Sequence, residues 1–487
     1  MKKIIAILCL LTMILPLCAC ASEGLSEQTA PAPTKTEAAD KQDKSETKKG
    51  KIDYPDAFAV GFSRVDITPA TPIPIYNTTA TSVHDPLWLT CTAIWDGKAA
   101  ALIFSVDSWF VGKSTADTAF KRLEKEFGIP SENVILNSTH AHSAPSVTSS
   151  EKPEIIRYFP KFYNQIVVAA DEALRDLDVV EKTYTGKSYT EGITFVRRYL
   201  MADGSYKGIA SSNPCTDFVA HETEADNEMR TIRFDRKNKK DVLMLNHQTH
   251  YGGATGLYPD QISADFITPL RETVEKELDC LFAYQYGASG NLNFISFIEG
   301  ERKYPTYLEA VPALAEDVKN AVNAEKEVTV GEIRSMETTV TATVIKDSEE
   351  RIRQAQEIVD APNEALQGQL CAKYGFEAKN EASAVLRRVR SGESQDLPLS
   401  VITFGDICFA AFPYEMFDTS GKQVRDASPY ETTFICSLTN GEFGYLPTTE
   451  AFPHGCYEVY VTRYVQGTAE LCVAESLRLL NECKNAA

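Results

Sequence analysis

Basic residues are scarce relative to acidic ones in this sequence. Its 487 residues include 49 Lys and Arg against 68 Asp and Glu, a net charge of −19, and no basic stripe stands out. Because binding to nucleic-acid phosphates requires clustered Lys and Arg, no nucleic-acid partner is expected. With 43% hydrophobic residues and no internal repeat, the bulk of the chain is not disordered, collagen-like or a coiled coil. A large buried core is expected.

Paired cysteine motifs are also absent. Twelve cysteines are scattered along the chain without a C-x-x-C motif, so a thiolate zinc site or a redox dithiol is not expected. Three of them fall within the first 20 residues, and the other nine are Cys91, Cys215, Cys280, Cys371, Cys408, Cys436, Cys456, Cys472 and Cys483. Buried apolar cysteine is the expected role for several, and one or two disulfides remain an open alternative for an exported chain.

Long apolar runs are confined to the N-terminus. Lys2 and Lys3 precede an apolar stretch over residues 4–17, and Leu17-Cys18-Ala19-Cys20 closes it, which is the pattern of a signal peptide. The tetrapeptide resembles the lipobox of bacterial lipoproteins, in which the cysteine is acylated. We therefore expect a lipoprotein signal peptide over 1–19 and a lipidated Cys20 that anchors the chain to the outer, extracytoplasmic face of the cytoplasmic membrane. An ordinary signal peptide cut nearby and an uncleaved anchor are the alternatives.

Residues 20–52 carry almost no large apolar side chain and are rich in Ser, Thr, Glu, Lys, Ala and Pro. Such a segment cannot bury enough surface to fold, so a disordered tether is expected there. The folded domain is then expected over 53–487. No second apolar run of about 18 residues appears, and nothing else is expected to span a membrane.

The domain alternates strand-like and helix-like patterns. Apolar and β-branched runs predict strands at 57–68, 87–105, 133–139, 228–247, 280–286 and 401–412. Helical periodicity appears at 118–127, 153–177, 268–278, 310–324 and 471–483, and two charged helical patterns lie within 346–395. Asp96-Gly97 and Lys237-Asn238 sit between strand runs as hairpin turns. The predicted fold class is α/β, a mixed sheet core with flanking helices and a helical insertion at about 346–395.

The histidines are the strongest indication of chemistry. Four of only seven lie in two short clusters, His140 with His142 and His247 with His250, each directly after an apolar strand run. Ligands of open α/β sheets collect beyond the carboxyl ends of strands, so one shared site is expected. Neutral imidazole is a favoured zinc ligand. The spacing alone leaves both a metal site and ordinary structural histidines open.

Several motifs resemble, in order, those of the neutral/alkaline non-lysosomal ceramidase family. Ser138-Thr-His-Ala-His-Ser-Ala-Pro145 is similar to its T-H-T-H-S-G-P segment, and His247-Gln-Thr with Ile262-Ser-Ala-Asp265 to its second histidine block. The other matching segments are Val60-Gly-Phe-Ser-Arg-Val-Asp-Ile-Thr-Pro69, Val83-His-Asp-Pro-Leu87, Phe412-Pro-Tyr-Glu-Met-Phe-Asp-Thr-Ser-Gly421, Tyr445-Leu-Pro-Thr-Thr-Glu450 and Tyr457-Glu458. Their joint order over about 400 residues makes the resemblance specific, although each motif is short.

The resemblance implies a zinc-dependent amidohydrolase that uses metal-activated water. The implied Zn²⁺ ligands are His140, His247, Glu415 and Tyr445, and the implied catalytic residues are His142, Arg197 and Tyr457. Arg198, next to Arg197, is an alternative for the arginine. Each assignment also has a structural alternative: a surface carboxylate, a core aromatic or a salt-bridge partner. The implied substrate is an N-acyl lipid or another small acylated molecule.

Two departures separate this sequence from the family's pattern. Asn293, in Gly290-Asn-Leu-Asn-Phe294, stands where the family's G-D-x-S-P segment carries a serine, and asparagine cannot replace that hydroxyl. The chain also ends at Ala487 after a helical pattern, whereas the family continues into an immunoglobulin-like domain. The alternative function is therefore a non-catalytic metal- or ligand-binding lipoprotein that retains the fold.

Overall fold

A computed structural model describes residues 50–76, 78–208, 217–250 and 258–486. The expected signal peptide, Cys20, most of the expected tether and Cys215 lie outside these residues. Within the described ranges, no helix has the length and apolar character needed to cross a membrane. Eight cysteines are described, and all eight are buried and unpaired.

The elements are numbered in chain order through the described residues. The strands are β1 (Ala59–Asp66), β2 (Ile73–Ile75), β3 (Thr78–Ala80), β4 (Ser82–Val83), β5 (Trp88–Trp95), β6 (Ala100–Val106), β7 (Val134–Ser138), β8 (Asp178–Tyr189), β9 (Phe195–Val196), β10 (Arg198–Met201), β11 (Tyr206–Gly208), β12 (Phe218–His221), β13 (Glu228–Arg236), β14 (Val242–His247), β15 (Gln261–Ile262), β16 (Leu281–Tyr286), β17 (Leu292–Asn293), β18 (Lys326–Val328), β19 (Ile333–Thr343), β20 (Ser394–Phe404), β21 (Ile407–Ala411), β22 (Glu415–Met416), β23 (Thr432–Cys436) and β24 (Tyr445–Leu446). The helices are α1 (Lys113–Phe127), α2 (Pro153–Arg175), α3 (Ile267–Leu278), α4 (Tyr307–Asn323), α5 (Glu349–Asp360), α6 (Glu364–Tyr374), α7 (Lys379–Ser391), α8 (Asp418–Asp426), α9 (Cys456–Val461) and α10 (Thr468–Asn485).

Two mixed sheets form the core. The first has nine strands in the order β16-β14-β13-β8-β1-β5-β6-β7, with β18 beside β8, and its β14–β16 and β6–β7 pairs are parallel. The second has four strands in the order β19-β20-β21-β23, with a parallel β21–β23 pair. Helices flank both sheets, so the α/β class with a mixed sheet core, predicted from the sequence, is confirmed.

The sheets pack face to face between two helical layers. Along β6, Leu102 and Phe104 face a core shared with α1 and α2, whereas Ala101 and Ile103 face the second sheet. This alternation explains why the strand is apolar at every position, because a strand buried on both faces has no solvent side. The far face of the second sheet packs on α10, for example Leu399 near Leu480.

Two buried asparagines join the sheets near the ends of β7 and β14. The Asn137 amide donates to the Ser437 carbonyl at 2.6 Å, although the two residues are 300 positions apart in sequence. Asn246 donates to the Ile435 carbonyl at 2.9 Å and accepts from its N–H at 2.9 Å. Buried amides are stable only when their donors and acceptors are paired, so these bonds fix the two sheets against each other.

The stretch expected to be a helical insertion contains α5, α6 and α7. These helices share a small apolar core that includes Ile358, Leu370 and Val385. Ser348 caps α5 and Asn363 caps α6. Each side chain accepts a hydrogen bond from the backbone N–H three residues later. Arg388 on α7 donates to the Thr462 carbonyl at 3.0 Å, which ties the helices to the chain after α9.

Candidate metal centre

His140 lies just beyond the end of β7 and anchors the site. Its backbone has a φ of 61°, a left-handed conformation that is uncommon for a residue other than glycine and often marks a functional position. Its Nδ1 lies 3.0 Å from the Trp109 carbonyl, which can only accept a hydrogen bond. Nδ1 therefore carries the proton, and the lone pair of Nε2 points into the site, as in many metal-binding histidines.

Three imidazole nitrogens converge at this point. The Nε2 atom of His140 lies 3.2 Å from His142 Nε2 and 3.3 Å from His250 Nε2. Two nitrogens bound to one tetrahedral zinc at about 2.0–2.1 Å are about 3.3 Å apart, so the spacing suits a single ion. Burial lowers the pKa of His140 to about 3 and that of the other two well below the usual value. All three rings are neutral at pH 7, as metal binding requires.

The second ring nitrogen of His250 has two neighbours. Nδ1 lies 3.3 Å from the Ser289 carbonyl and 3.3 Å from Arg197 Nη1. The carbonyl can only accept and the guanidinium can only donate, so one tautomer satisfies only one of them. The tautomer that donates to Ser289 leaves Nε2 free to bind a cation.

Glu415 and Tyr445 add oxygen donors to the three imidazoles. They face each other across the short parallel pair β22–β24, and the Tyr445 hydroxyl hydrogen-bonds to the Glu415 carboxyl. Glu415 Oε2 lies 3.7 Å from His140 Nε2 and 3.9 Å from His250 Nδ1, and it has no hydrogen-bond partner among the described residues. Burial raises the pKa of Glu415 to about 8. A cation would satisfy the orphaned oxygen and keep the carboxylate ionised, so this donor set fits a metal.

The structure separates the two adjacent arginines. Arg197 projects into the site, where its Nη2 donates to the Tyr445 hydroxyl at 3.2 Å. Arg198 points the other way and pairs with Glu222, with an Nη2–Oε1 distance of 3.0 Å. Of the two candidates, Arg197 is therefore the one that reaches the imidazole cluster.

Aromatic side chains form one side of the centre. The Tyr457 ring lies 5.6 Å from that of Tyr445, and burial, with smaller contributions from Tyr76 and Glu415, raises its pKa. The His142 ring lies 4.5 Å from Tyr76 and 5.9 Å from Trp109. The sequence analysis did not predict Tyr76 or Trp109 as site residues. Tyr76 lies in a turn and Trp109 lies just after β6, and no sequence motif indicates that either one contacts His142.

His247, assigned to the metal from the sequence, is not in this cluster. The histidines whose ligand atoms lie within 4.8 Å of one another are His140, His142 and His250. His247 is the last residue of β14; its ring is fully buried, and neither ring nitrogen has a hydrogen-bond partner among the described residues. The chain leaves β14 through Gln248 and Thr249, and the next residue, His250, places its imidazole in the cluster. Among the described residues, His250 rather than His247 therefore joins His140 and His142 in the cluster.

Asn293, which stands at the position of the family serine, lies at the end of β17. Its side-chain oxygen accepts from the Ile295 N–H at 3.4 Å, a local turn contact. Its neighbour Asn291 is buried and exchanges hydrogen bonds with Asp418, donating to the carboxyl at 2.7 Å and accepting from the Asp418 N–H at 2.9 Å. In these contacts both asparagines shape the loop that follows β16.

Comparison with known proteins gives matches only at the level of structure. No family model matches the sequence, and no curated protein matches it. A solved structure titled "Ceramidase complexed with C2" superposes with a TM-score of 0.67 at 16% identity, covering 89% of this chain and 76% of that one. The chain has the neutral ceramidase fold. The neutral ceramidase from Pseudomonas aeruginosa gives a TM-score of 0.65, also at 16% identity, covering 88% of this chain and 75% of that one.

The neutral ceramidase fold is what the ordered motifs predicted, and that expectation is confirmed. At 16% identity the likeness concerns the backbone, so the chemistry rests on the side chains described above.

Proposed function

We propose that this protein is a zinc-dependent hydrolase that cleaves the amide bond of N-acyl lipids or other small acylated molecules. One observation carries the proposal: two further imidazole nitrogens lie within 3.3 Å of His140 Nε2, and a Glu415 oxygen without a hydrogen-bond donor lies 3.7 Å from it, beside an arginine. The Nε2 atom of His140 carries no proton, and the Glu415 oxygen beside it has no donor; a buried oxygen in that state is costly unless a cation satisfies it.

His140, His250 and Glu415 would hold the ion, with Tyr445 beside Glu415 as a fourth donor. A bound divalent cation supplies Lewis acidity, which polarises a carbonyl oxygen and lowers the pKa of water. We assign His142 to the substrate side, because Glu415 lies within 4 Å of His140 and His250, whereas the His142 ring also contacts Tyr76.

The protein's own side chains account for the rest of the reaction. Arg197 is always protonated, and its guanidinium would stabilise negative charge that develops on the carbonyl oxygen; one such donor is commonly worth about 3 kcal/mol. The Tyr457 hydroxyl is neutral at pH 7, burial raises its pKa further, and it can donate to the same oxygen. Neutral His142 can take a proton from the attacking water and deliver it to the leaving nitrogen, so that the C–N bond breaks to give an acid and an amine.

The proposed setting is the extracytoplasmic face of the membrane, reached through lipidated Cys20 and the tether over 20–52. A lipid substrate would then lie in the same bilayer as the anchor. Mass spectrometry of the mature N-terminus tests this part separately from the chemistry, since a cleaved chain without diacylglycerol on Cys20 would contradict the anchor only.

The functional test combines metal analysis with product release. The purified protein is expected to contain one zinc per chain and to release amine from at least one member of a panel of N-acyl amides of varied chain length. A chelator should abolish the release, and added zinc should restore it. Zinc at full occupancy without turnover of any amide or ester would contradict the enzyme and favour the second candidate, a metal-containing binding lipoprotein.

A further inference from the structure

Glu458 is a buried carboxylate between the two consecutive arginines. It lies on α9, its side chain is 1% exposed, and it accepts from Arg197 Nε at 2.7 Å and from Arg198 Nη1 at 3.0 Å. Burial by itself would raise the pKa of Glu458, but the two guanidiniums outweigh it and the pKa is lowered. Glu458 is therefore ionised, and none of the roles proposed above uses it.

The contacts of Arg197 show what this carboxylate does. Glu458 takes the Nε edge of the guanidinium, and the Gly290 carbonyl accepts from Nη2 at 2.8 Å. The guanidinium also donates from Nη2 to the Tyr445 hydroxyl at 3.2 Å, and its Nη1 lies 3.3 Å from His250 Nδ1, at the edge of the imidazole cluster. Because a guanidinium is planar, fixing one edge fixes the direction of the other N–H groups.

We propose that Glu458 is a positioning residue that orients the Arg197 guanidinium toward the metal centre, and that Arg198 holds Glu458 in place for this task. The inference rests on the proposed function, because it concerns how the arginine meets the substrate oxygen. Arg198 is anchored independently of the site, through Glu222 and the carbonyls of Gly455 and Ala451.

The negative charge of Glu458, and not only its hydrogen bonds, is needed to hold Arg197. Arg197 is itself buried beside the site where a dication would bind, and its charge adds to burial, the main cause, in lowering the pKa of the three clustered histidines. Glu458 accepts from Nε of the guanidinium, whereas His250 lies near Nη1, and the carboxylate neutralises the charge of Arg197. Without that counter-charge, a buried guanidinium turns toward water or another carboxylate, at the expense of the geometry in the site.

The test is Glu458→Gln, with Glu222→Gln as its matched control. Both changes remove one buried carboxylate charge that contacts Arg198, but only Glu458 also contacts Arg197. We expect E458Q to lower kcat on an N-acyl amide about 10- to 100-fold with KM changed less than about threefold, as for a donor that acts in the transition state. E222Q should stay within about threefold of the wild type in both parameters, because the Gly455 and Ala451 carbonyls still hold Arg198.

A double-mutant cycle with Arg197→Gln shows whether Glu458 acts through Arg197. If it does, R197Q/E458Q should be no slower than R197Q alone. Affinity for a long-chain acyl hydroxamate, measured by calorimetry on zinc-loaded protein, should fall about 10-fold in E458Q and about as far in R197Q. Zinc content should be unchanged in E458Q, and E458D, which keeps the charge, should recover part of the affinity.

The outcomes separate this inference from the proposed function. If the wild type turns over no amide, the proposed function fails, while hydroxamate affinity and its non-additivity still test Glu458. E458Q and E222Q with equal effects, or effects of E458Q and R197Q that add in full, would overturn the inference. If E458Q fails to fold, E458D and E222D carry the same comparison.

Discussion

Gly290 offers a sharp test of how closely the backbone packs around the candidate metal centre. A Cβ at this position would lie 2.6 Å from the Glu415 carbonyl oxygen, 3.0 Å from its carbonyl carbon and 3.1 Å from the Met416 oxygen. The glycine N–H donates to the Met416 carbonyl at 2.8 Å, and its own carbonyl accepts from Arg197. Gly290→Ala would therefore displace the backbone of Glu415, a candidate ligand. It would also move the Gly290 carbonyl that accepts a hydrogen bond from Arg197.

The expected magnitude follows from the overlap. Side-chain carbons do not approach backbone atoms this closely, so the Glu415 segment must retreat by about half an ångström. All three atoms that the Cβ would meet belong to the backbone rather than to a flexible side chain. Displacements approaching 1 Å at an active site cost about 100-fold in rate. We expect kcat/KM to fall about 10- to 100-fold, zinc affinity to weaken, and the free energy of unfolding to fall by about 1–3 kcal/mol.

The assay compares G290A with Gly331→Ala. A Cβ at Gly331 meets its nearest atoms, in Gly405, at 3.6–3.7 Å, which is ordinary contact away from the candidate site. Steady-state kinetics, zinc titration and thermal melting are measured on both variants, and G331A should match the wild type in the first two. G290A with wild-type kcat/KM and zinc affinity would refute the reasoning, because the Glu415 segment would then tolerate displacement.

Three further predictions concern the metal, pH and the helical insertion. His250→Ala should lose zinc while His247→Ala keeps it, and His142→Ala should keep zinc and lose rate; equal loss of metal in all three would contradict the assigned roles. Burial raises the pKa of Asp317 to about 6, so the contribution of this carboxyl to stability falls as the pH rises from about 4 to 6. D317N should therefore raise the free energy of unfolding at pH 7, by about 1 kcal/mol or less because the group is partly exposed, and should show no gain at pH 4. Gly368 lies in α6 with no atom near its Cβ position, so G368A should raise local helix stability by about 0.5–1 kcal/mol in hydrogen exchange without changing activity.

Periodicity and turn chemistry predicted the elements that are buried on both faces or amphipathic. Strand β6 and helix α2 have such patterns, and their observed bounds lie within a few residues of the predicted ones. The long strands β8 and β19 were missed because they are half-exposed and carry Glu, Lys and Thr at many positions. The alternation of apolar and polar residues is weak in such strands. Pairing with neighbouring strands, rather than the β-propensity of their own residues, stabilises them.

The candidate site was predicted unevenly for similar reasons. His140 and His142 follow a strong strand signal, and Glu415 and Tyr445 entered through motif resemblance, since the two-residue strands that pair them are too short to show a pattern. The choice between His247 and His250 depends on the path of the chain after β14, which strand patterns do not encode. Glu458 contacts residues about 260 positions earlier, and only tertiary structure shows that.

The asparagine bonds between the sheets have a thermodynamic consequence. Asn137 precedes His140 by three residues and bonds to Ser437, while Glu415 and Tyr445 belong to the chain segments on either side of that residue, so the donors meet only after both sheets have docked. Ion affinity is then coupled to unfolding of the entire domain: zinc at 100 times its dissociation constant should add about 2.7 kcal/mol to global stability. A proteolytic nick that lets the sheets separate should release the ion even when every donor side chain is intact.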